Sequence, residues 1–174
     1  MDNITLKYAQ GFMFTRIAKG DMYQNNSVRI DVSKFSLSSE NRRVLKKVDL
    51  SVTVKSLPLS DYDWKIGKMA KDFYDARDAK FSANKIKELL TTDHNFNTLF
   101  DYGLGYCIAY MNEEILHYCY PFYASENKDT GMNMMLRAIM YAQEKGLKYV
   151  YLGSFNKYKM QFEGVEVFEN GVWK

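Results

Sequence analysis

In the stretch SLSSENRRVLKK, residues 36–47, four cationic side chains fall within six positions. On a helix of 3.6 residues per turn, Arg42 and Lys46 form one row and Arg43 and Lys47 the adjacent one. Val44, Leu45 and Val48 would anchor such a helix from below. Two cationic rows can hold the phosphates of a polyanion, and the same spacing also suits a solvated face. A second group of reactive types stands near the other end, at Tyr158 and Lys159. A phenol can protonate a leaving oxygen, and an ammonium can offset charge on an oxyanion. Arg29, inside an alternating apolar run, suits either an acidic ligand or a carboxylate on a neighbouring strand. Other chemistry-bearing residues are isolated. His94 and His117 have no ligand or triad spacing and read as structural. Cys107 and Cys119 lack CxxC spacing, which argues against a disulfide scaffold and against a zinc or iron–sulfur site. Both are expected to be small buried apolar residues, and no metal site is expected.

The elements that must position these groups belong to one domain, 1–174, because 174 residues support one full core and not two. With 47% apolar and 16% aromatic residues, a packed globular chain is expected. The net charge of +3 and the pI near 8.7 are mild for a dedicated nucleic-acid binder, for which pI above about 9 is usual, so clustering matters more than the total. There is no charged-then-apolar leader and no apolar run near the roughly 18 residues a membrane helix needs. A reducing, cytoplasmic location is the expectation.

Residues 4–14, ITLKYAQGFMF, read as a strand interrupted at Gly11, and 27–35, SVRIDVSKF, as an alternating strand. Ser38 is the expected N-cap of the basic helix, which runs to about Lys47 with Glu40 favourable in its first turn. A strand over 49–57 follows, then helices over 61–79 and 83–90. FNTLFDY, GYCIAYMN and EILHYCYPFYA read as a three-strand antiparallel meander, with Glu113-Glu114 as a turn and Pro121 at a strand edge or end. Met132, Met135, Leu136 and Ile139 mark one face of a helix that Gly146 ends, and KYVYLG continues as a buried strand. Asn170-Gly171 marks a terminal hairpin.

The strand–loop–helix step YASENKDTGMNMML resembles the core motif of the GNAT acyltransferase superfamily, in which a Q/R-x-x-G-x-G/A loop opens the helix. In that superfamily the backbone N–H groups of the loop cradle a cofactor pyrophosphate. Here the loop reads Lys128-Asp129-Thr130-Gly131-Met132-Asn133, so the second glycine position holds Asn133 and Asp129 adds negative charge. A closer resemblance is to the arginyl-tRNA–protein transferase family. VRIDVSKFSLSSENRRVLKK is similar to its R-I/V-D/P-V-x-x-F strand and S-x-x-Q-R-R-x-L-K/R-R helix, with Asn41 in place of Gln. GFMF (11–14) resembles the family's first strand, and GLKYVYLGSFNKYKMQFEGVEVF resembles its G-L-x-Y-x-Y-L-G-Y…K-M-x-Y-K-A-x-F-x-P-x-E segment. Tyr149, Tyr151, Leu152, Gly153, Tyr158, Lys159, Phe162 and Glu166 stand at matching positions. The chain departs from the family at Arg77-Asp78, where Arg-His is usual, and in the Ser154-Phe155 pair. It also has no counterpart of the family's N-terminal cysteine cluster.

The resemblance implies an α/β (α+β) class, a GNAT-like fold, and a mixed, mostly antiparallel sheet with helices on both faces. It implies an aminoacyltransferase with aminoacyl-tRNA as co-substrate and no further cofactor, moving an arginine-like amino acid to an amine such as a protein N-terminus. Arg42, Arg43, Lys46 and Lys47 would then hold tRNA phosphates. Tyr158 and Lys159 would be catalytic, and Arg29, Tyr151 and Gly153 would contact substrate. An N-acyltransferase using a coenzyme A thioester is the alternative enzyme, and a non-catalytic binding module is the third reading. The partners expected are aminoacyl-tRNA and an acceptor protein or peptide, without a membrane.

Overall fold

Eight strands form one mixed sheet in the computed structural model, which describes all 174 residues. In chain order the elements are α1 (Asn3–Ala9), β1 (Phe12–Phe14), β2 (Met22–Gln24), β3 (Ser27–Asp31), α2 (Ser39–Lys47), β4 (Thr53–Ser56), α3 (Trp64–Asp75) and α4 (Ala83–Thr91). They continue with β5 (Thr98–Asp101), β6 (Gly105–Met111), β7 (Ile115–Tyr123), α5 (Thr130–Glu144), β8 (Tyr149–Ser154), β9 (Val165–Glu169) and β10 (Val172–Trp173). The sheet order is β10-β9-β3-β8-β7-β6-β5-β4, and β1 and β2 pair separately as a hairpin. All pairings are antiparallel except β7 with β8. This is the mixed, mostly antiparallel sheet that the resemblance implies.

Alternating residues send two separate cores to the two faces. On one face Val28, Ile30, Val150 and Leu152 meet Met134, Ile139 and Ala138 of α5 and Val44 of α2. On the other, Tyr8, Leu99, Ile108, Ile115 and Tyr151 meet Ala70, Ile86, Leu89 and Leu90 of α3 and α4. Both faces of the central strands are therefore covered, which accounts for their nearly continuous apolar character.

The basic helix, the meander, the α5–β8 crossover and the Asn170-Gly171 hairpin occur where expected. Ser38 accepts the Asn41 N–H at 3.0 Å, and the Asn41 side chain accepts the Ser38 N–H at 3.2 Å, closing a capping box. At the hairpin, Asn170 and Gly171 both take positive φ, 52° and 82°, as a twisted two-residue turn requires.

Three expectations are corrected. Residues 3–9 are helical and not a strand: Asp2 caps the helix by accepting the Thr5 N–H at 2.7 Å. Gly11, at φ 83°, then reverses the chain into β1. The strand from Ser27 stops at Asp31, whose carboxylate accepts the Ser33 N–H and starts a 3-10 turn over Val32–Lys34. The strand expected over 49–57 contracts to Thr53–Ser56. Pro121 lies inside β7, opposite Cys107, yet past the last residue that pairs with β8. Its missing N–H therefore costs no ladder bond on that side.

Candidate active site at the β7–β8 fork

The β7–β8 pair is short. Ile115, Leu116 and His117 pair with Tyr149, Val150 and Tyr151, after which the two strands separate. β7 continues to Tyr123 bonded only to β6, and β8 to Ser154 bonded only to β3. A bulge at Cys119, between the Tyr118–Ala109 and Tyr120–Ile108 pairs, bends β7 at the point of departure. The result is a fork with His117 and Tyr151 at its apex.

A 3-10 turn over Lys157–Gln161 follows β8, opened by Asn156 accepting the Tyr158 N–H at 3.2 Å. It turns Lys159 back into the fork. The ammonium donates to the carbonyls of Leu152 and Ser154, each at 2.7 Å, which flank Gly153. Gly153 takes φ 79°, and this local reversal lets both carbonyls point at one cation. Burial lowers the Lys159 pKa to about 8, and no carboxylate opposes that shift. Two of its three N–H bonds are used and one is free.

Tyr158 is 46% exposed, and partial burial followed by the nearby Tyr123 phenol raises its pKa. Tyr123 ends β7 and lies against the first turn of α5: a Cβ on Gly131 would stand 3.1 Å from its hydroxyl. The glycine read from sequence as part of a phosphate loop is thus the one that seats Tyr123. Arg77 stacks on Phe73 at 3.6 Å and reaches the Tyr123 hydroxyl at 3.5 Å. A cleft of about 430 Å³ opens beside them, lined by Lys65, Lys68, Phe73, Arg77, Tyr123 and Ser125.

The start of α5 carries a carboxylate where a phosphate-binding loop would need bare N–H groups. Asp129, at the N-cap position, makes no side-chain capping bond and pairs with Arg43 at 3.2 Å. Arg43 also chelates Glu40, at 2.6 and 2.8 Å, and these two carboxylates raise its pKa, Glu40 first. Asn133 is fully buried and donates to the carbonyls of Val44 and Val48, at 3.0 and 2.9 Å, tying α5 to α2. It serves the packing of the two helices.

The other predicted residues separate into two groups. Arg42, Lys46 and Lys47 are exposed and form no ion pair, although Arg42 donates to the Leu37 carbonyl at 2.6 Å. They remain available to an anion, whereas Arg43 is already paired. Arg29 is 7% exposed. It bonds Glu166 at 2.7 Å and lies over the rings of Tyr149 and Trp173, at 3.8 and 4.2 Å. Tyr151 is 1% exposed and packs edge-on against Tyr8. Lys159 and Gly153 meet in the fork; Tyr151 stands at its apex with its ring packed into the core, and Arg29 is buried beside it.

His117 and Cys119, read from sequence as structural, and Arg77, noted only in the Arg77-Asp78 pair, surround the fork together with Tyr123, which the sequence did not single out. Their common signal is tertiary, since each depends on where β7 leaves β8. Burial lifts the Cys119 thiol to about 12, so it is no nucleophile at neutral pH. No three His, Cys, Asp or Glu side chains converge as a metal-binding group, and no helix is long and apolar enough to cross a membrane.

No established family model matches the chain. It is 25% identical over 177 residues to an aspartate/glutamate leucyltransferase from Dinoroseobacter shibae, a match covering 85% of this chain. The chain spans only 61% of that relative's length. Among solved structures, a C-terminal domain (DUF2156) assigned to a lysylphosphatidylglycerol synthetase of Agrobacterium fabrum superposes with TM-score 0.54 at 10% identity. That likeness covers 82% of this chain and 48% of the other. L-PGS from Bacillus licheniformis superposes with TM-score 0.53, also at 10% identity, over 91% of this chain and 54% of the other. These structures share the fold.

Proposed function

We propose that the chain is an aminoacyltransferase domain that moves an aminoacyl group from tRNA to an amine, with the α-amine of a protein N-terminus as acceptor. The observation that carries this reading is the half-buried Lys159 ammonium, clamped to two carbonyls in the fork with one N–H left to give. The leucyltransferase relative and the motifs around Arg42 and Lys159 support it.

The neutral amine attacks the ester carbonyl carbon, a C–N bond forms and the carbonyl electron pair moves to oxygen. Collapse of that oxyanion breaks the ester C–O bond, and the ribose oxygen leaves with a proton. The proton originates on the attacking amine. The Tyr158 phenol, kept protonated by its raised pKa, gives its own proton to the ribose oxygen and is restored from the new ammonium. Lys159 holds the oxyanion during the passage. The ester is already activated, so positioning and charge stabilisation supply the rest.

The charge pattern bears on which amino acid is carried. Desolvation and Cys119 are what bear on the Lys159 charge, and no carboxylate stands beside it. No carboxylate is on hand there to receive an arginyl guanidinium, and the leucyltransferase relative makes leucine the first cargo to test. A coenzyme A pyrophosphate fits poorly at the start of α5, where it would meet Asp129.

The test incubates the chain with leucyl-, arginyl- and mixed aminoacyl-tRNAs carrying labelled amino acids, together with peptides beginning with different residues. Label is expected to move from leucyl-tRNA. Lys159→Met is expected to lower kcat by about 10²–10³-fold, the usual loss for one oxyanion donor, with tRNA binding retained. Transfer from an acyl-coenzyme A, or no transfer from any tRNA, overturns the reading.

A further inference from the structure

His117, which the sequence suggests is merely structural, stands at the fork apex with an unusual set of neighbours. The residue is 2% exposed, and Nδ1 lies 2.8 Å from the hydroxyl of the fully buried Tyr8. That same oxygen accepts the Phe14 N–H at 3.3 Å. If Nδ1 carried the ring proton, the Tyr8 hydrogen would be sealed in the core without an acceptor, at a cost of roughly 1–3 kcal/mol. The network therefore assigns Tyr8 as donor and Nδ1 as acceptor, which leaves the ring proton on Nε2.

Nε2 bonds no group of the protein. It is also absent from the sealed, unpartnered polar atoms, which are Ser27 Oγ, Asn41 Nδ2, both ring nitrogens of His94 and Tyr118 Oη. The sliver of accessible surface on His117 thus includes Nε2. Across the apex, His117 pairs with Tyr151, and the next residue, Leu152, offers one of the two carbonyls that hold Lys159. Lys159 is the one charged group that bears on the imidazole, whose pKa falls to about 3 through burial first and that cation second. A neutral N–H within the field of that ammonium would donate without adding a second positive charge.

We propose that the fork apex is a two-donor site for the carbonyl oxygen of the aminoacyl ester and for the oxyanion it becomes, formed by His117 Nε2–H and the free N–H of Lys159. Tyr8 is the positioning residue that sets the imidazole tautomer. The assignment rests on the aminoacyl-transfer reading for its substrate, while the tautomer can be measured on its own.

The experiment begins with ¹⁵N NMR of the imidazoles in the full chain. A neutral His117 protonated on Nε2 is expected throughout pH 5–9, and its Nε2–H should shift on adding 3′-leucylamino-3′-deoxyadenosine, a stable amide analogue of the ester. In kinetics, His117→Leu is expected to lower kcat by about 10²-fold or more with KM within a factor of two. His117→Gln, whose amide N–H replaces the donor, should recover much of that loss. Tyr8→Phe should leave a mixture of tautomers and an intermediate kcat. A proton on Nδ1, an Nε2–H that ignores a bound analogue, or a folded His117→Leu variant with wild-type kcat overturns the proposal. If no tRNA supports transfer, the functional reading fails; the tautomer and the analogue shift then decide the donor pair separately.

Discussion

Lys159 carries two opposing demands. In the proposed reaction its ammonium must be close to the reacting carbonyl, yet burial lowers its pKa from 10.5 to about 8. The charge is present below that pH and is lost as pH rises through it. The acceptor must behave in the opposite sense, since an α-amine of pKa near 8 attacks only when neutral. The kcat/KM profile is therefore expected to rise towards pH 8 and fall above it, as the product of two limbs that overlap. A profile from pH 6 to 10 checks this, and Lys159→Met should abolish the alkaline fall while leaving the acid limb. An alkaline fall that survives in Lys159→Met would assign it to another group. Tyr158 does not interfere in that window, because its phenol is shifted upward.

At the scale of elements, the fork exists because several small devices agree. The Cys119 bulge turns β7 away, Gly153 reverses β8 locally, and the Lys157–Gln161 turn returns Lys159 to the gap. α1 contributes from the face that carries α3 and α4 by delivering Tyr8 to His117. Its exit depends on Gly11, where φ is 83° and an added Cβ would lie 2.4 Å from the Phe168 ring. Gly11→Ala is expected to destabilise the fold by roughly 2–4 kcal/mol, combining overpacking with left-handed strain. Urea denaturation measures that loss, and a change within 0.5 kcal/mol would mean that the Phe168 ring moves aside freely. The same variant should loosen the Tyr8–His117 bond, so its imidazole signals should broaden before the sheet melts.

Across the whole molecule, charge is distributed more selectively than composition suggests. Of the four cations on α2, Arg43 is committed to Glu40 and Asp129, and Arg42, Lys46 and Lys47 stay free. Arg43 also fixes α2 against the start of α5, and so places the three free cations on the side of the sheet that carries α5. Replacing Arg42, Lys46 and Lys47 together with alanine is expected to weaken tRNA binding at low salt and to reduce the slope of log K against log[salt] by roughly 2–3. Fluorescence anisotropy at several salt concentrations reads this directly. An unchanged slope would make these residues a solvated face and move the RNA contact elsewhere, with the Arg77 cleft the next surface to test.

Much of the architecture was readable along the chain because its signals are local. Ser38 with Asn41 marks a helix start, Asn170-Gly171 a hairpin, and the periodic Met135, Leu136 and Ile139 a buried helix face. Order along the chain and the α5 crossover were enough for a mixed sheet with helices on both faces. Lys159 was a candidate from its type and motif, whereas its clamp between two carbonyls was not legible. The first helix was misread because Ile4, Leu6 and Tyr8 alternate as a strand would, while the Asp2 cap and the reversal at Gly11 decide otherwise. Arg29 was open to an acidic ligand or a neighbouring carboxylate until folding set Glu166 and Trp173 around it, from 137 and 144 residues further along the chain. His117 looked inert for the converse reason. Its tautomer and its opening depend on Tyr8, Phe14 and Lys159, none of which is near it in sequence, and the point where β8 leaves β7 is set by packing on both faces of the sheet.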